Sequence, residues 1–162
     1  TNVVAYHFGS KDALIVEVIR HRVPALEARR AELLAAARRA NASPPLGALL
    51  DAMLRPFFEQ TDDQGRHTYV AFLSGLSRSG RWDIRTSLDS DYPVTRDLME
   101  TIEDAITAGA RAFAGERIFI ALSMAFAALQ VIDQARRPAR EAAAIFADAL
   151  VMIETALTAP HV

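Results

Sequence analysis

Apolar residues three and four positions apart recur along almost the whole chain, and no segment holds the strict alternation of a half-buried strand for long. That regularity restricts the chain to amphipathic helices that bury their apolar stripes against one another. The stripes are interrupted at a few places rich in Pro, Gly, Ser and Asp, and those interruptions set the order of the helices.

A short helix is expected from Thr1 to about His7, closed by Gly9, a residue suited to the left-handed cap position. Ser10 can then cap a new helix, its hydroxyl accepting from an orphan backbone N–H, with Asp12 placing negative charge in the first turn. Ala13 stands where a full capping box has Glu or Gln. The helix from Lys11 carries Leu14, Ile15, Val18, Ile19, Val23, Leu26, Leu33 and Leu34 on one face, with Arg and Glu opposite. Pro24 removes an N–H inside it, so a kink, or two helices meeting, is expected there. After the linker ANASPPLG, a second stripe holds Leu46, Leu49, Leu50, Met53, Leu54, Phe57 and Phe58, with Pro56 suggesting a bend near its end. Tyr69, Phe72, Leu73 and Leu76 form a third stripe, ended by SRSG. A short helix is expected around Trp82 to Leu88, and another from Pro93 to Gly109.

Two long apolar helices close the chain. Glu116 to about Arg136 is apolar nearly all round and should be covered on several sides. Pro138 suits the first turn of the last helix. That helix has two adjacent stripes: Ile145, Ala149, Met152 and Ala156, and Phe146, Leu150, Ile153 and Leu157. Two apolar faces exceed what one intrachain contact requires, which points to a partner subunit. The uncharged run Ile118 to Ile132 is shorter than a membrane span and contains Ser123 and Gln130, so a buried helix is the better reading and no membrane partner is expected.

Composition narrows the function classes. The 162 residues fit one domain with a sizeable core, and 51% hydrophobic with 23% charged residues is an ordinary globular balance. With no Cys there is no disulfide framework, thiol nucleophile or thiolate metal site, which fits a reducing compartment. The net charge of −2 is close to neutral, whereas a complete nucleic-acid-binding domain is more often basic. Catalytic patterns are weak. The four His residues form no close metal-ligand spacing. GLSRSG approaches a nucleophile elbow but has Ser79 at the closing Gly position and lies at a helix end, so a hydrolase using Ser77 or Ser79 is a poor reading. The paired carboxylates Asp62–Asp63 and Glu103–Asp104 point in different directions on a helix or turn. No enzyme activity, cofactor or metal is expected.

The opening stretch is more specific. NVVAYHFGSKDALI resembles the end of the DNA-binding domain of TetR-type (tetracycline-repressor-like) transcriptional regulators, in which a recognition helix ends in Y-x-F or Y-H-F before a turn, S-K-[ED]-x-L and a long linking helix. Tyr6, His7, Phe8, Ser10, Lys11, Asp12 and Leu14 match that pattern. The resemblance implies an all-α helical bundle in which 1–20 is the end of the DNA-binding domain and the start of the linking helix, and 21–162 binds ligand and dimerises. The family's first two helices have no counterpart here, so Thr1 is expected to be the start of what was retained. The resemblance places Asn2, Tyr6, His7 and Lys11 at double-stranded DNA: Tyr6 and Lys11 on phosphates, His7 on a phosphate or a base edge.

The resemblance further implies a cytoplasmic homodimer, a repressor by expectation, whose last two helices pack against those of its copy and whose remaining helices enclose a small apolar or aromatic effector. Effector binding alters the spacing of the DNA-binding heads. The expected pocket residues are Phe57, Phe58, Tyr69, Phe72, Trp82, Met99, Phe119 and Gln130, the last able instead to bond across the subunit interface. The expected interface residues are Phe126, Ile145, Ala149, Leu150, Met152, Ile153 and Leu157, with Phe126, like Met124, also chemically suited to a pocket wall. The alternative is a helical ligand-binding or scaffold protein without a DNA role.

Overall fold

The computed structural model describes residues 10–88, 91–106 and 113–160. The chain is all-α, with no strand among the described residues: α1 Lys11–Ala40, α2 Leu46–Glu59, α3 Thr68–Arg78, α4 Trp82–Thr86, α5 Pro93–Ala105, α6 Ala114–Ala135 and α7 Ala139–Thr158. The most extensive packing is α6 against α7 and α1 against α2; α2 also meets α5 and α7, and α3 lies on α6.

Ser10 caps α1 as its chemistry dictates, its Oγ accepting from the Ala13 N–H at 3.0 Å. Pro24 does not divide the helix. All 30 residues of α1 are one continuous element, because Pro24 and Arg20 both lie on the exposed side, where water can satisfy the carbonyl that the missing N–H leaves over. Pro56 is likewise held inside α2, and Pro93 starts α5. Helix α5 ends at Ala105; the expected stop at Gly109 lies outside the described residues, as do the short opening helix and its Gly9 cap. Pro138 sits one position earlier than expected, as the N-cap of α7.

One contiguous core joins the helices. The α1 stripe of Ile15, Ile19, Val23, Leu26 and Leu34 meets Leu49, Leu50, Met53 and Leu54 of α2, and Leu98 and Ile102 of α5 lie in the same cluster. Helix α6 has the length and composition to cross a membrane, but it buries Ile118, Ala121, Ala125, Phe126, Leu129 and Ile132 as a core helix. Of the two stripes on α7, Phe146, Ile153 and Leu157 are buried within the chain, while Met152 is 58% exposed. Ile153 and Leu157, at 0% and 1% exposure, and Phe126 therefore belong to this chain's own core and not to a surface open to a partner. Ile145, Ala149 and Leu150 are half-buried.

Six of the seven described helices have no side-chain cap from their own N-cap residue, and at three of them a carboxylate from another helix takes the role. The Glu154 Oε1 accepts from the Gly47 N–H at 3.1 Å, where Pro45 has no side chain to offer α2. Glu27 accepts from the Val94 and Thr95 N–H groups of α5 at 2.9 and 3.0 Å. Asp133 accepts from the His67 N–H at the start of α3 at 2.9 Å. Each bond satisfies an orphan donor and sets an anion at the positive end of a helix dipole.

Candidate functional site

A cavity of about 270 Å³ lies among α1 to α6. Its apolar wall is built by Phe57 and Met53 of α2, Trp82 of α4, Met99 of α5, and Ile118, Phe119, Leu122 and Phe126 of α6. The polar wall is made of Arg30, Arg85, Thr86, Thr95 and Arg96. Such a combination of apolar enclosure with a few placed polar groups is the usual construction of a small-molecule site.

Arg30 is the unusual member. It falls at the α1 register position between Leu26 and Leu34, on the face that otherwise carries only apolar side chains, and it is 2% exposed. Its Nε donates to the Met53 carbonyl at 3.2 Å and its Nη1 to the Thr95 hydroxyl at 2.8 Å. The guanidinium lies over the Phe57 ring, 5.0 Å from its centroid, and 3.8 Å from the Glu27 carboxylate. Thr95 Oγ1 donates in turn to Glu27, so Arg30, Thr95 and Glu27 form one network across α1 and α5. Burial lowers the Arg30 pKa to about 10, against the pull of Glu27, and nearby Arg85 lowers it further; the group remains a cation at neutral pH.

The expected pocket residues separate into groups. Phe57, Trp82, Met99 and Phe119 line the cavity, and so does Phe126, for which both a pocket wall and a subunit interface are expected from sequence. Trp82 and Phe119 meet edge to face at 5.8 Å and border an adjoining cleft of about 220 Å³. Gln130 borders that cleft instead of the cavity, donating to the Ser74 hydroxyl at 2.6 Å. Phe58 packs towards α7, stacked on Phe146 at 4.6 Å. Tyr69 is buried between Phe57 and Phe72, at 6.3 and 5.9 Å, and neither Tyr69 nor Phe72 lines the cavity. The Tyr69 hydroxyl has no hydrogen-bond partner among the described residues, and burial pushes its pKa up to about 12 although Arg85 and Arg30 act against the shift.

Arg30, Arg85, Arg96, Thr86 and Thr95 were not singled out from sequence. For Arg30 a signal existed: a cation at the fifth register position of the stripe Ile15, Ile19, Val23, Leu26 and Leu34. Arg85 and Arg96 had none, since arginine on a short or half-buried helix is ordinarily a solvated charge.

Other groups are committed to structure. His67 is buried, with Nδ1 2.6 Å from Asp133 and Nε2 3.0 Å from the Phe58 carbonyl, so neither ring nitrogen faces a substrate space. The Ser79 hydroxyl donates to the Leu76 carbonyl at 2.9 Å at the end of α3. A groove of about 590 Å³ beside His67 is bordered mainly by exposed side chains such as Gln64, Arg66, Arg136 and Arg137, and it lacks the aromatic enclosure of the smaller cavity. At the start of α1, Lys11 is exposed, and Asp12 pairs with Arg81, the residue preceding Trp82. Asn2, Tyr6 and His7 lie outside the described residues.

No protein-family model matches the chain, and no curated protein or solved structure is significantly similar to it.

Proposed function

We propose that the chain is the effector-binding and dimerisation part of a ligand-responsive transcriptional regulator of the TetR type, a cytoplasmic homodimer that binds double-stranded DNA and acts as a repressor. The observation that carries this reading is the course of α1. One uninterrupted helix begins at the Ser10 cap, beside the Y-H-F and S-K-D residues, and delivers Arg30 into the cavity wall about 30 Å further along its axis. A ligand that prefers one arrangement of that wall would shift the position of the helix start, which is what coupling between two sites requires.

Two further features support it. The Asp12–Arg81 pair ties the beginning of α1 to the residue before Trp82, so the cavity reaches the helix start by a second, shorter route. Exposed apolar side chains on α6 and α7, among them Ile120, Val131, Val151 and Met152, provide a surface for a second copy related by a two-fold axis. In this reading Lys11, and with it Asn2, Tyr6 and His7, face the DNA backbone and groove.

The reading is tested on the full-length gene product with DNA from upstream of its own gene. Lys11→Gln should weaken binding about equally for all duplex sequences and reduce the slope of log affinity against log salt by about one. An unchanged slope would remove Lys11 from the phosphate contacts.

A further inference from the structure

The cavity of about 270 Å³ and the adjoining cleft of about 220 Å³ are each smaller than the usual small-molecule site of about 300–1,000 Å³, and together they fall within that range. They share four lining residues, Trp82, Phe119, Leu122 and Phe126, so one aromatic wall serves both. Trp82 and Phe119 stand at the boundary, edge to face at 5.8 Å. Phe119 is 40% exposed and also borders a shallow depression with Gly115, Glu116 and Ile120, which leaves its ring open space on the outer side.

The two compartments differ in polarity. In the cavity the buried cation is already matched: Arg30 has Glu27 at 3.8 Å and donates to Met53 and Thr95. Arg96 is exposed to solvent, and Arg85 lies over the Tyr92 ring. What the cavity offers a guest is its apolar wall. The cleft is lined instead by Ser74, Ser77, Ser123 and Gln130, with Arg78 at its exposed rim. Ser123 is spent on the Phe119 carbonyl, to which its hydroxyl donates at 2.9 Å. Gln130 is half-buried, and its amide N–H donates to Ser74 Oγ at 2.6 Å. The Gln130 carbonyl oxygen accepts from no group among the described residues, and the Ser77 hydroxyl has no partner among them. A half-buried amide oxygen in that position needs a donor from water or from a guest.

We infer that cavity and cleft are the two halves of one site for an elongated, uncharged molecule. Its apolar body fills the cavity, and an amide or hydroxyl end passes Trp82 and Phe119 to meet Gln130 and Ser74 in the cleft. Such an end gives a proton to the Gln130 carbonyl and accepts from a serine hydroxyl. A carboxylate has no proton to give and would set its oxygens against that carbonyl. This goes beyond an apolar or aromatic effector by specifying length, charge and the position of the polar end. That the guest acts as an effector rests on the regulator reading; its binding across both compartments does not.

The test is isothermal titration of the full-length protein at neutral pH with 4-phenylbutanamide, 4-phenylbutanoate and butylbenzene. The amide should bind, and more tightly than the carboxylate. Gln130→Leu should weaken the amide about threefold to tenfold, the worth of one net hydrogen bond, and leave butylbenzene unchanged or tighter. Met99→Trp narrows the cavity at a residue that does not line the cleft, and it should weaken the amide and butylbenzene alike. The melting temperature of each unliganded variant checks its fold, with Ser77→Ala as the milder change in the cleft, expected to weaken the amide and spare butylbenzene. No binding of the amide, tighter binding of the carboxylate, or an amide affinity indifferent to the cleft or to the cavity substitution would overturn the inference. Binding with this pattern but no change in DNA affinity would support the inference while counting against the regulator reading.

Discussion

Arg30 occupies a place on α1 that the pattern on either side reserves for an aliphatic side chain, and its burial is tolerable only because Met53, Thr95, Phe57 and Glu27 surround the guanidinium. Removing the anion should therefore be worse than removing the cation. Glu27→Gln strips Arg30 of its nearest counter-charge and weakens the cap on α5; it is expected to lower unfolding free energy in urea by about 2–3 kcal/mol. Arg30→Met fills similar space, leaves no uncompensated cation and should cost less than Glu27→Gln. The reverse ranking would show that the network contributes little to the fold. Period alone exposed Arg30 as an irregularity but not its meaning, because a lone cation in a stripe can equally bend out to solvent. Phe126, Ile153 and Leu157 teach the same lesson from the other side. Their helices carry more apolar surface than one contact needs, and only packing decides which stripe turns inward.

The helices themselves were legible because spacing and punctuation agree. Ser10 caps α1, Pro93 opens α5, and a linker separates α1 from α2 as the composition requires, though it is confined to 41–45 within the expected 40–47 stretch. What spacing could not reveal is how helix starts lacking a local cap are completed. Glu154, Glu27 and Asp133 lie 107, 67 and 66 residues from the N–H groups they accept from, so no local rule reaches them. Whether two helices meet at Pro24 is beyond spacing for a related reason: continuity of α1 there depends on whether the released carbonyl faces water, which is a property of the packed helix. Between α1 and α2, Arg29 makes a two-point contact with Glu59 at 2.8 and 3.0 Å, and this holds the Glu59 carboxyl below its ordinary value of 4.5. A depressed folded-state pKa means stability that is present above the unfolded value and lost as pH falls towards the folded one. The stability difference between the protein and Glu59→Gln should thus be constant above about pH 5.5 and shrink as pH drops through 4.5. Both side chains are more than a third exposed, so the difference is expected to be small and to diminish with salt. A difference that grows on acidification would contradict the assignment.

At the scale of the molecule, the chain has two unequal uses for its apolar surface. One is the shared core with its arginine-walled cavity; the other is the outward side of α6 and α7, where Ile120, Val151 and Met152 are 56%, 62% and 58% exposed. If a second copy covers that side, Val151→Glu should convert a dimer to a monomer in light scattering with helicity unchanged. A protein that stays dimeric would place the interface elsewhere. The all-α class was fully legible from the sequence. The aromatic half of the cavity was legible in part, through Phe57, Trp82, Met99 and Phe119, whereas its cationic half depends on side chains brought together from α1, α4 and α5. The central claim is that this cavity belongs to a protein that reads DNA. The most direct measurement is fluorescence anisotropy of the full-length gene product on DNA from upstream of its gene and on a scrambled duplex of the same length, at one physiological salt concentration. The account predicts binding to the upstream DNA at least about 10³-fold tighter than to the scrambled duplex. Equal affinity for the two would contradict it.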